Sequence, residues 1–431
     1  MSSTHKSSFF RQSGWMVVTT FIGGIFMVGV QVLAIRMRKT DFNNFVALLG
    51  LLVVFGGVPA AALQTIFAQQ AAAAVTGEKR ADLTATARAL LRSTFIFWLV
   101  VAGLALIFVG PVSAALGVNN PAAVRLVMLC VLPSLWGPIL KGLLQGEHRF
   151  APLGWLLMLE GVVRIGTFVL LVMILKGGAA AGFWAVFTGL YLTMSIALWL
   201  TREVWSGKST GAFSWREWLA RGAPLTMGMG AYVFMTRLDN VFTKSLFYDA
   251  DSVKLYNCAM FMGFAITQFI SPITAVMFPT IVRNLALSKK TDALALTLAV
   301  TGGFGCLAAV GCTVFPKLPL AILHFDPGAA PLVPWFAWAV LPLTLAYVLI
   351  QNLLAQGRYA AAPWLILVPV LYGLTLMAQG PALVRMFDSH PFDAFERVIQ
   401  TLGLFCLLLF AVAGWFTWRR PSSPRPAGAG I

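Results

Sequence analysis

Charge is scarce in this sequence. Of its 431 residues only 11% are charged, and acids are outnumbered by bases, 15 against 31. A soluble domain carries about 25% charged residues. With 59% hydrophobic residues and a mean hydropathy of +0.83, the chain reads as an integral membrane protein. A net charge of +16 would suggest nucleic acid in a soluble protein. Here the bases cluster in short loops, as at membrane edges facing anionic lipid, and no nucleic-acid partner is expected.

Metal ligands and nucleophiles are equally thin. The four histidines, His5, His148, His324 and His390, fall in loops or at the terminus, without H-E-x-x-H or cysteine pairs. The five cysteines, Cys130, Cys258, Cys306, Cys312 and Cys406, sit inside apolar runs and read as small core residues, so neither a metal site nor a disulfide is expected. No loop is long enough for a soluble catalytic domain. No G-x-x-x-x-G-K-[ST] occurs, the nearest run, Gly177 to Gly182, being followed by Phe183, so ATP hydrolysis is not expected. No catalytic residue and no cofactor is assigned. One charged stretch, read as a loop from Arg385 to Arg397, collects Asp388, His390, Asp393 and Glu396. It is either a set of helix-end charges or the site of a membrane enzyme that transfers sugars.

Long apolar runs are abundant. Twelve spans are read at 14–35, 43–68, 93–115, 122–144, 151–175, 179–200, 222–247, 255–281, 293–315, 330–354, 360–383 and 395–418. The first is long enough to cross a bilayer and lacks a small-residue cleavage site, so it is an anchor rather than a signal peptide. Backbone groups in hydrocarbon must be bonded within their own segment, so each run is a helix, with Pro59, Pro133, Pro272, Pro342 and Pro369 as kinks. Basic residues on the even-numbered links outnumber those on the odd ones, although Arg36, Arg38 and Lys39 run against the trend, and both termini are therefore placed in the cytoplasm. Trp15, Trp155, Trp199, Trp335, Trp338, Trp364, Trp415 and Trp418 lie near span ends, as interfacial aromatics do.

The chain is doubled. LPSLWGPILKGLLQGEHRF (Leu132–Phe150) is echoed by LPLTLAYVLIQNLLAQGRY (Leu341–Tyr359), with Pro133, Arg149, Phe150 and Ala151 answering Pro342, Arg358, Tyr359 and Ala360 at one offset. The Gln-Gly steps, Gln145-Gly146 and Gln356-Gly357, fall two residues out of that register and imply a small slip. Arg11 and Arg221 echo near the same offset, as do Asp41 with Phe45 and Asp251 with Tyr256. The predicted fold is an all-α integral membrane protein, about twelve transmembrane helices in two six-helix lobes related by a parallel pseudo-repeat. The predicted divisions are an N-terminal lobe at 1–200, a cytoplasmic amphipathic linker at 201–221, a C-terminal lobe at 222–418 and a disordered cytoplasmic tail at 419–431.

Four ionisable residues lie inside spans: Glu160 and Arg164 in the fifth, Arg237 and Asp239 in the seventh. A charge near the bilayer centre costs about 2.5–3.5 kcal/mol on insertion scales, so each should face a partner or a wet cavity. Glu160 and Arg164 share a helix face, whereas Arg237 and Asp239 point to opposite sides. They are either a neutral cluster tying the lobes together or a binding site in which the arginines grip an anion. Pro59 and Pro272, in equivalent helices, are the hinge candidates.

Several stretches, VLAIRMRKTDFNNF (32–45), GLLQGEHRF (142–150), PLTMGMGAYVFMTRLDNVFTKSLF (224–247) and LYNCAMFMGFAITQFISPITAVMFPTIVR (255–283), resemble the polysaccharide transporter branch of the multidrug/oligosaccharidyl-lipid/polysaccharide (MOP) exporter superfamily, which includes O-antigen flippases. The chain departs from that pattern at Asn43-Asn44, where the family usually has glycine. The resemblance implies alternating access between two lobes and export of an undecaprenyl-diphosphate-linked oligosaccharide across the cytoplasmic membrane. Its implied partners are that lipid-linked oligosaccharide, membrane lipid, and separate glycosyltransferases and a polysaccharide polymerase, with H+ or Na+ as coupling ion. On this reading Arg164 and Arg237 hold the diphosphate, and Asp239 or Glu160 modulates them or carries a proton. The alternatives are a drug/cation antiporter of the related multidrug branch and a membrane glycosyl-polymerase or ligase.

Overall fold

The computed structural model describes residues 3–34, 37–107, 109–110, 121–207, 209, 213–247, 250–286, 293–322 and 325–419. Among these, all regular elements are helical, as hydrocarbon demands of segments that satisfy their own backbone. The long ones are α1 (Ser3–Ala34), α2 (Lys39–Ala73), α3 (Gly77–Ile107), α4 (Pro121–Gly146), α5 (Phe150–Phe168), α6 (Ala179–Leu200), α7 (Trp215–Met235), α8 (Ala250–Ala286), α9 (Ala293–Val314), α10 (Val333–Ala355), α11 (Ala362–Ser389) and α12 (Pro391–Trp418). Among the described residues, eight are long and apolar enough to cross a membrane.

Hydropathy locates the lipid-facing part of a helix and not its polar ends. Thus α6 has the bounds read from sequence, whereas α3 starts sixteen residues before its apolar run (Gly77 against 93), where the Thr76 hydroxyl accepts from the Lys79 amide at 3.5 Å. The seventh span is not one helix. It breaks at Thr236 and Arg237, and a short helix, Leu238–Leu246, follows. Trp215 and the residues after it form the first turns of α7, while the helix of the preceding link is Arg202–Trp205. The supposed loop from Arg385 to Arg397 is the end of α11 and the start of α12 with only His390 between them, because Pro391 opens a new helix at its first position. Helices α2 and α8 run on through Pro59 and Pro272, whose side chains lie outside the described residues, as does the tail beyond Arg419.

The chain divides into two units, Met1–Gly230 with Gln268–Thr297, and Ala231–Thr267 with Leu298–Ile431. In the first, α2 packs along α4, α1 along α5, and α6 against both α4 and α5. The α2–α4 approach depends on glycine. A Cβ on Gly142 would lie 2.5 Å from the Gln64 carbonyl oxygen, and one on Gly146 2.5 Å from that of Ala68, a small-residue seam of the kind that lets membrane helices touch backbone to backbone. Beside it the Gln64 amide donates to Gln145 Oε1 at 3.0 Å, and Gln145 donates to the Ala275 carbonyl at 2.8 Å, joining the last part of α8 to the same unit. Phe45 is buried against Phe168 and Phe183, and Asp41 caps α6 by accepting from the Ala179 amide at 3.1 Å.

In the second unit α12 packs on α10 and α11. Tyr256, the echo of Phe45, is likewise fully buried between two rings, Phe336 and Phe395. The doubling holds at atomic detail where the sequence pointed to it. In each unit a residue with positive φ, His148 (59°) or Gly357 (67°), ends a helix; the next amide, of Arg149 or Arg358, bonds at 2.9 Å to the carbonyl of Leu144 or Leu353. Each arginine then caps a later helix, Arg149 on the Leu200 carbonyl and Arg358 on those of Thr417 and Arg419. Gly357 therefore answers His148 and not Gly146, so the offset of Arg149 to Arg358 holds without a slip.

Candidate functional site

Glu160 and Arg164 are one turn apart on α5, so their side chains meet: Arg164 Nη2 donates to Glu160 Oε1 at 2.9 Å. The other carboxylate oxygen accepts from Lys141 Nζ on α4 at 2.8 Å. Lys141 escaped the sequence reading because a lysine near the end of an apolar run looks like an interfacial anchor. In the fold its side chain is only 19% exposed. Two bases against one acid leave this cluster with one net positive charge.

Lys141 and Arg164 both line a cavity of about 300 Å³ inside the first unit. Helical spacing explains the walls. Ser134, Gly137, Pro138 and Lys141 follow one face of α4, and Leu190, Thr193, Met194 and Ala197 one face of α6. Leu49, Leu52 and Ala60 of α2 complete an apolar side. The prolines matter here because each lacks the N–H that a helix needs four residues back. Pro133 frees the Leu129 carbonyl, which accepts instead from the Tyr191 hydroxyl at 2.9 Å. Pro138 frees the Ser134 carbonyl, beside the cavity. Glu160 is not on the cavity wall, so the faces presented are cationic. Arg164 is 9% exposed and its Nε has no hydrogen-bond partner among the described residues. The arrangement can accept an anionic group.

The other predicted pair separates. Arg237 sits in the break after α7 and is exposed, whereas Asp239 is fully buried in the second unit, its Oδ2 accepting from the Tyr256 hydroxyl at 2.9 Å. Tyr372, also fully buried, brings a second hydroxyl to that unit's core, with no hydrogen-bond partner among the described residues. The helix break, not a regular helix, sends Arg237 and Asp239 to different surroundings. No proline or glycine marks it, so nothing in the residue pattern announces it.

These features define a class before they define a family. The fold is that of MOP-superfamily transporters. A crystal structure of MATE in complex with MaL6 is 12% identical, with a TM-score of 0.76 over 96% of this chain and 95% of that one. A multidrug resistance MATE family transporter in its outward-facing conformation is 10% identical, with a TM-score of 0.75 over 95% and 94%. A MOP superfamily transporter from Pyrococcus furiosus, described as having a binding pocket of reverse polarity that suggests a different function, is 11% identical, with a TM-score of 0.74 over 96% and 95%. No curated protein matches the chain. The profile of the polysaccharide biosynthesis protein family matches residues 9–285, and the chain belongs to that family. It is a multi-pass membrane transporter.

Proposed function

We propose that the protein is a flippase that exports an undecaprenyl-diphosphate-linked oligosaccharide across the cytoplasmic membrane by alternating access, in surface polysaccharide biosynthesis. The observation that carries this reading is the cavity of the first unit, where Lys141 and Arg164 present a net positive charge to an otherwise apolar chamber. A diphosphate offers acceptors for the guanidinium and the ammonium, and water-poor walls strengthen both contacts. Arg237, exposed at its helix break in the second unit, is proposed separately as a phosphate contact. Both oxygens of Glu160 are committed to ion pairs, so Asp239 is the carboxylate proposed to carry a coupling proton. Both termini are proposed to be cytoplasmic, with glycosyltransferases and a polymerase as separate partner chains.

The resemblance to MATE structures favours a second reading, a drug/cation antiporter. The polarity of the cavity weighs against it, because an organic cation meets two bases there. The enzyme reading is supported less, since the charged stretch from Arg385 to Arg397 is two helix ends rather than a loop.

The test is translocation of a fluorescent lipid-linked oligosaccharide in proteoliposomes. Replacing both Lys141 and Arg164 by Gln is expected to abolish it while the protein still inserts. If wild-type protein moves an organic cation in exchange for protons and leaves the glycolipid where it was, the flippase reading falls.

A further inference from the structure

A second concavity of the first unit, about 430 Å³, is lined by different residues: Arg80 from the first turn of α3, Glu147 and Arg149 from the turn between α4 and α5, and Trp199, Leu200, Arg202 and Glu203 where α6 ends. Its place at helix ends and the exposure of Trp199 put it at the headgroup level of a bilayer. Its charges are mixed, three arginines and two glutamates. They are also loosely paired. Arg80 and Arg149 each stand 3.6 Å from a carboxylate oxygen of Glu147, too far for a hydrogen bond. Arg149 is committed to the Leu200 carbonyl, but the Arg80 side chain is 71% exposed.

This lining selects among headgroups. A purely anionic one would set its surplus charge against Glu147 and Glu203, and a purely cationic one would meet three guanidinium groups. A headgroup with one phosphate and one ammonium satisfies both signs. Arginine forks match phosphate oxygens, and carboxylates accept from N–H donors. A quaternary ammonium has no N–H to give, and the aromatic face it would prefer is taken, since the Arg202 guanidinium lies 5.4 Å from the Trp199 ring centroid. We propose that this rim pocket binds a zwitterionic phospholipid through a phosphodiester and a primary ammonium, with Arg80 and Arg202 on the phosphate and Glu147 and Glu203 on the ammonium. Trp199 then lies along the glycerol and upper acyl region.

The test uses the full-length protein in detergent, titrated with dioleoyl phosphatidylethanolamine, phosphatidylcholine or phosphatidylglycerol and followed by native mass spectrometry of bound lipid. Phosphatidylethanolamine is expected to be retained preferentially. Glu203→Gln should cut its advantage over phosphatidylcholine about tenfold, the loss of one charge-assisted hydrogen bond. Arg80→Gln with Arg202→Gln should weaken binding of all three lipids, and Arg385→Gln, an exposed arginine of the other unit, should change nothing. Phosphatidylglycerol held as tightly as phosphatidylethanolamine would overturn the proposal, as would an unchanged preference in Glu203→Gln. Free phosphoethanolamine displacing the lipid at equal concentration would assign the pocket to a soluble ligand and overturn it too.

Discussion

Substituting Glu160 by Gln tests the cavity more sharply than removing either base. The carboxylate lies 2.8 Å from Lys141 Nζ and 2.9 Å from Arg164 Nη2. At an effective dielectric of about 20, each of those attractions is worth roughly 6 kcal/mol. Most of it offsets the burial of the ions, and breaking such a buried cluster from one side costs about 3–5 kcal/mol. The apparent unfolding temperature should therefore fall by roughly 3–6 °C. Anion binding should move the other way, because the cluster goes from one net positive charge to two. Inorganic pyrophosphate would return the missing counter-charge, so it should stabilise Glu160→Gln by several degrees more than it stabilises the wild type. Adding Lys141→Gln to Glu160→Gln should recover part of the lost stability, since it removes one of the two uncompensated cations. The assay is thermal unfolding of detergent-solubilised protein with and without pyrophosphate. A variant as stable as wild type, or equal stabilisation of both by pyrophosphate, would refute the reasoning.

Other outcomes follow from other parts of the fold. Burial and the nearby Arg283 hold the His148 imidazole neutral down to about pH 4, against an ordinary value of 6.5. The unfolded chain therefore binds the extra proton first, and stability contributed by this residue, full above pH 6.5, is lost as the pH falls towards 4, by at most about 3 kcal/mol. His148→Gly, which suits the positive φ, should flatten that part of a curve of unfolding temperature against pH. Gly142→Val should abolish stable insertion, because its Cβ meets the Gln64 backbone and two helices would have to part; size-exclusion chromatography after membrane extraction reads this directly. Topology reporters fused after Val75 and near Asn119 should give cytoplasmic and external signals respectively, and the reverse would invert the proposed direction of transport.

The sequence by itself determined the class of fold, because hydrocarbon leaves a long apolar run no choice but a helix that satisfies its own backbone. It also determined the Glu160–Arg164 pair, since residues four apart on a helix share a face whatever surrounds them. The doubling was legible too, and the turns before Arg149 and Arg358 are equivalent because short turns are local structures, whereas the later helix ends that those arginines cap were not legible. What lies across helices was not legible. Lys141 reaches Glu160 only because α4 and α5 pack side by side, and nothing in the interval between those residues encodes that approach. The end of α7 shows the same limit from another side: its break follows no proline or glycine, yet it leaves Arg237 exposed and buries Asp239 against Tyr256. Tertiary structure decided the sign of the cavity, because electrostatic character depends on which charges converge in space, and four intramembrane charges that cancel in the sequence become, with Lys141, a cationic cluster in one unit and a buried acid in the other.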